Sequence, residues 1–394
     1  MMDTADAPDA PPIDAALFDR VQAALAAGPI AAVEKLCEEL RAAEDFQNLF
    51  YALLLKKRVE LGVSPFPTGP ATDLPPETHE VYEDTIRSAG RLIGSEYLSR
   101  GDIPKAWTFY RLIGEPEPIK DALAKYQPGP DDDTYPIVEV AWQHGLLPTK
   151  GFDLILDRNG VCSAITMVSS SDLSSNPDLR TYCVQRLIRA LHEQLVERIR
   201  GDLQARGIDV PASASVSEMI VGREELFADD LYHIDTSHLS SVVQMAMQLP
   251  KCPELDLARE LCVYGERLSP TLKGDNDPPF DDTYADYKKY LDVIAGVDVE
   301  AGLSHFQAKL PAAAAEGYRF PAEVVVNLLL KVNRLPEALD VAKQYLADGD
   351  DRQMSCPGLS ELARRAGAFE VLAEAAKAKA DPVNYLAGLI AAKR

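Results

Sequence analysis

From residue 15 onward the apolar positions recur at the helical period. Phe18, Val21, Ala24 and Leu25 form one stripe, Gly28-Pro29 breaks it, and Ile30, Val33, Leu36, Cys37 and Leu40 form a second. A third run over 46–61 carries Leu49, Phe50, Leu53 and Leu54 and stops at Gly62; a proline-rich linker, 63–76, follows. Two more helices are predicted over 80–98 and 105–113, joined by Ser99-Arg100-Gly101-Asp102.

The centre of the chain reads differently. An acidic loop, 128–133, and a helix over 135–144 precede the segment 152–168. There, apolar and β-branched residues flank Asp157-Arg158-Asn159-Gly160, a turn with Asn-Gly at its tip, so the pattern predicts a β-hairpin. A long helix is predicted over 177–206, with Val184, Leu187, Ile188, Leu191, Leu195, Val196 and Ile199 on its apolar face. A short helix over 218–226 leads to one over 237–248, capped by Asp235 or Thr236. Helix, tight turn and helix then alternate over 255–268, 284–295, 300–310, 322–331 and 336–347, and on to Ala391. The expected fold class is mostly α: helical hairpins, as in an α-solenoid, around a central region with one β-hairpin. The expected layout is a disordered acidic tail (1–13), a helical-repeat domain (14–127), a central α+β region (128–250) and a second helical-repeat domain (251–394).

The stretch 87–120 has a distinctive spacing. Ile93-Gly94, Tyr97, Gly101-Asp102, Ala106, Tyr110 and Pro118 place small residues where two antiparallel helices approach most closely, with aromatic rings beside them. In this the segment resembles the tetratricopeptide repeat family over one 34-residue unit. It departs at Gly90, where that family has tryptophan, and at Ile113, where alanine is common. Weaker echoes are Asn333-Arg334 with Ala338 and Ala342, and Gly367 with Leu372 and Ala376. The resemblance implies stacked helical hairpins that bind a peptide or protein partner.

Composition sharpens this in two ways. With 62 acidic against 40 basic residues the net charge is −22, a surface that repels phosphate backbones and anionic headgroups, so neither nucleic acid nor membrane is an expected partner. The six cysteines (37, 162, 183, 252, 262, 356) are scattered without a CxxC, which fits buried, reduced thiols in a cytoplasmic protein. The N-terminus lacks the basic start and apolar run of a signal peptide, and no apolar run approaches the ~20 residues that span a bilayer.

Candidate chemistry gathers in the centre, which holds four of the six histidines: His144, His192, His233 and His238. His233, Asp235 and His238 lie within six residues and could converge on zinc, iron or manganese, with His144 or Glu225 completing the set. The same spacing also fits a helix start, with Asp235 as N-cap, His238 in the first turn and His233 partly buried on backbone partners. His192-Glu193 lacks the second histidine of a metallopeptidase helix, because position 196 is valine. Asp235, His238 and Ser241 on one helix do not make a hydrolytic triad. Cys162 reads as a structural thiol, and no phosphate-binding glycine loop occurs. Tyr284, Tyr287 and Tyr290 form a seam that packs between helices. The expectation is a scaffold holding a peptide or protein partner on a concave surface; the alternative is a metal-binding protein or metalloenzyme.

Overall fold

The computed structural model describes residues 15–67, 74–274, 276–347, 349 and 353–393; the tail expected at 1–13 lies outside them. Among the described residues the regular structure is helical, and no strand occurs. They fall into two units that part in sequence at Asp157 and Arg158. None of the described helices is long and apolar enough to cross a membrane.

The first unit opens with α1 (Ala16–Ala24), α2 (Pro29–Ala42) and α3 (Phe46–Glu60), each packed on the next. In α1 the contact face is Leu17, Val21 and Ala24 rather than the expected stripe: Leu17 is buried, while Phe18 is 63% exposed and Leu25 59%. A nine-residue, alanine-rich helix has two weak apolar faces, and packing on α2 selects between them. Asp45 caps α3 by accepting from the Asn48 N–H at 3.1 Å.

The next helices, α4 (His79–Ser99) and α5 (Ile103–Ile113), form the tightest pair of this unit. Gly101 turns the chain at φ 77°, and Asp102 caps α5 on the Lys105 N–H at 3.1 Å. A Cβ on Gly94 would stand 2.6 Å from the Tyr110 ring, so glycine leaves the room that ring occupies against α4. A Cβ on Gly90 would meet the Ile113 Cγ2 methyl at 2.6 Å. The two positions that depart from the tetratricopeptide spacing therefore face each other, the larger side chain filling the room left by the smaller. Phe46, Phe50, Tyr97 and Phe109 complete the core with Ile93 and Ala89; Tyr97 stacks on Phe109 at 5.8 Å and meets Phe46 edge-on at 5.5 Å. Then come α6 (Glu117–Lys125) and α7 (Tyr135–Val138), the latter running into a π-helical turn at Glu139–Gln143.

The expected β-hairpin at 152–168 does not form. That segment belongs to α8 (Pro148–Ser170), interrupted at Gly160, whose φ of 78° and ψ of −178° are not helical. Asn-Gly supplies the left-handed backbone that a hairpin turn requires, but the end of a helix requires it equally. Beyond Gly160 the buried residues are Ala164 and Val168, four apart, which is helical spacing.

The second unit is built on α9 (Pro177–Ala205), 29 residues capped by Asn176 and buried along Leu179, Cys183, Val184, Leu187, Ile188, Leu191, Leu195, Ile199 and Leu203. Against it lie α10 (Val216–Ile220), α11 (Thr236–Ala246) and α12 (Glu254–Glu266). After the short α13 (Pro270–Lys273), a running array begins. It comprises α14 (Thr283–Ala295), α15 (Val299–Ala315), α16 (Phe320–Lys331), α17 (Leu335–Tyr345), α18 (Leu359–Arg365), α19 (Phe369–Ala378) and α20 (Pro382–Ala391), each packed on its successor. Close glycine contacts recur here: Gly265 of α12 lies against the Tyr284 ring, and Gly302 of α15 against Val293. The tyrosine seam is buried as expected, with Tyr284, Tyr287 and Tyr290 at most 4% exposed. Of the cysteines, 37, 183, 262 and 356 are buried, whereas Cys162 is exposed, contrary to its expected structural role.

Candidate functional site

The chain reaches His233 through a tight turn. Asp229 and Asp230 both have positive φ, 54° and 59°, a conformation short polar side chains tolerate better than most. The turn directs Ile234 into the core and leaves His233 9% exposed, between α9 and α12. The His233 N–H donates to the Tyr264 hydroxyl at 2.6 Å, and the same hydroxyl lies 3.2 Å from Nδ1. Nε2 stands 3.3 Å from Asp202 Oδ2, and Arg198 donates to the His233 carbonyl at 2.9 Å. Phe227 packs beside both rings, 5.5 Å from that of Tyr264.

This arrangement suits a neutral imidazole. Tyr264 accepts from the backbone and donates to Nδ1, while Nε2–H points at Asp202. Burial pushes the His233 pKa below its usual value, outweighing Asp202, which favours the charged ring. Burial also raises the Tyr264 phenol to about 12, so it stays protonated. Asp202 is held below the usual carboxylate range, first by Arg206, whose Nε donates to it at 2.8 Å.

Asp235 is the N-cap of α11. Its carboxylate accepts from the Ser237 N–H at 2.8 Å and the His238 N–H at 3.2 Å, and its pKa is lowered chiefly by the Ser237 hydroxyl. His238 is half-buried in the first turn. Glu225 is exposed in a 3₁₀ turn at Glu224–Leu226. The remaining expected ligand, His144, belongs to the first unit, where its ring lies 5.8 Å from that of Trp107. His233 and Asp235 thus direct their polar atoms to core and capping partners rather than to a common point. Among the described residues no group of three or more His, Cys, Asp or Glu side chains is arranged to hold a metal ion.

Other polar clusters escape a reading by local spacing because their members come from distant segments. His192 lies on α9 and meets Glu260 of α12 at 2.6 Å, which holds that carboxylate below its usual range. Glu254, 2% exposed, accepts from Arg189 Nε at 2.9 Å and Gln185 at 3.0 Å. On α14, Asp286 is 1% exposed and accepts from His305 at 2.6 Å, Lys309 at 2.8 Å and the Asp282 N–H at 2.9 Å. Lys309 also reaches Asp281 at 2.8 Å, so this buried carboxylate and its ammonium partner fasten the 277–282 loop to α14 and α15. One signal was available: Asp286 interrupts the tyrosine seam, and an acid between core aromatics needs buried donors.

These clusters cross-link helices; each functional group faces a partner that satisfies it. Compared with known proteins, the chain matches no family model, no curated protein and no solved structure.

Proposed function

We propose that this chain is a helical-repeat binding protein, acting in the cytoplasm, that holds a peptide or protein partner on the concave face of its stacked hairpins. The α4–α5 pair carries the reading. Gly94 of α4 leaves room for the Tyr110 ring of α5, and Ala106 is fully buried, at positions that keep the spacing of the tetratricopeptide repeat. The two departures from that spacing, Gly90 and Ile113, compensate one another in volume. The succession α14 to α20, each helix packed on the next, supports the reading too, since stacked helical repeats offer extended surfaces to a partner. The conspicuous ionisable residues of the centre serve the core and the helix caps, a scaffold's use of them. A net charge of −22 favours a partner whose overall surface is basic or neutral.

Cross-linking in the source cells, with the linked residues mapped, tests this. The expected result is one recurrent protein partner linked to exposed positions on several consecutive helices. Cross-links scattered over many proteins, with no cluster on successive helices, would contradict it.

A further inference from the structure

The turn between α15 and α16 presents an aromatic pair and an arginine on a rigid frame. Helix α15 ends in a Schellman motif: the Gly317 N–H donates to the Ala314 carbonyl at 3.1 Å, and the Tyr318 N–H to the Ala313 carbonyl at 2.9 Å. Gly317 takes φ 82°, the left-handed conformation this ending needs. Helix α16 then starts at once, with Pro321 in its first turn. Between these fixed points Tyr318 is 52% exposed and Phe320 47%.

Beside the turn lies a groove of 260 Å³, with Leu310, Pro321 and Ala322 in its floor and Tyr318, Arg319 and Tyr345 among its walls. On the α17 side, Gln344 donates to the Tyr345 hydroxyl at 3.0 Å, which steadies that wall. The carbonyl of Arg319 accepts from the Ala322 N–H at 3.0 Å, while its exposed guanidinium makes no hydrogen bond or ion pair among the described residues. The local charge also differs from that of the chain. From 299 to 345 there are five Lys or Arg and five Asp or Glu, so this segment is neutral on a molecule of charge −22.

We propose that this groove docks a peptide segment that sets an apolar side chain between Tyr318 and Tyr345 and an adjacent Asp or Glu against Arg319. Tyrosine and arginine on a pre-ordered turn are the residue types that dominate binding energy at interfaces, because they bury much area for little lost freedom. The guanidinium can bind a carboxylate in two-point geometry, and the helices that form the groove add no net negative charge of their own. The groove has room for one or two side chains, so a short extended segment fits it better than a folded surface. This proposal rests on the reading of the chain as a peptide- or protein-binding array and names the chemistry of one of its contacts.

The test is selection of a random-peptide display library on the full chain, followed by affinity measurement of the enriched peptides. Enriched peptides are expected to pair an aromatic residue, leucine or proline with a neighbouring acid. Arg319→Glu and, separately, Tyr318→Ala are expected to weaken them by roughly tenfold or more. Both side chains are exposed, and unchanged circular dichroism would confirm that each variant folds. Enriched peptides without an acid, peptides indifferent to both substitutions, or no enrichment at all would overturn the groove. Peptides indifferent to both substitutions would leave the binding-protein reading intact, so the two failures are distinguishable.

Discussion

Tyr264 shows how one hydroxyl can hold a loop in place. It accepts the His233 N–H and contacts the His233 ring, and the pocket around it is closed. Tyr264→Phe leaves that N–H without its acceptor in a buried site, so the unfolding free energy should fall by about 1–3 kcal/mol in urea titration. Asp235 has a more local task. Asp235→Ala removes the N-cap of α11 and should cost about 1 kcal/mol, and Asp235→Asn should restore most of it. The His233 ring adds a pH dependence of definite sign. Its pKa is lowered in the folded chain, so below about pH 6.5 the unfolded chain binds its proton first, and stability falls as acid is added. Urea titrations at neutral pH and near pH 5 should show that loss in the wild-type chain and a smaller one in His233→Asn. The helix-capping role of Asp235 was legible in the sequence, because a cap acts on residues two and three places ahead. The Asp286, His305 and Lys309 cluster was not, because its donors come from another helix, 19 and 23 residues away.

At the level of elements, helices were legible where a strong apolar stripe met a clear stop, as in α9 and α14. The segment 152–168 misled because its Asn-Gly step serves a helix end as well as a hairpin, and because Phe152, Leu154 and Leu156 mimic strand alternation over too short a run. Gly90 and Ile113 supply the sharpest test of packing between elements. Gly90→Ala places a methyl against the Ile113 side chain and should destabilise the chain by about 1–3 kcal/mol. Adding Ile113→Ala should relieve the overlap, so the double variant should be more stable than the sum of the single changes allows. Thermal unfolding of the four chains in that cycle measures the coupling; additive effects would mean that the two residues do not share one space.

For the whole molecule, the helical class and the sequential pairing of neighbouring helices were readable from periodicity and turn residues. The division at Asp157 and Arg158 was not, since it falls inside a run of helical residues that carries no linker composition. The central claim is that the chain binds a peptide or protein partner along its stacked helices. Hydrogen exchange of the full chain, alone and with the partner captured from the source cells, tests it most directly. The account predicts slowed exchange at exposed positions on several consecutive helices of the complex. No retained partner, or exchange unchanged along those helices, would contradict it.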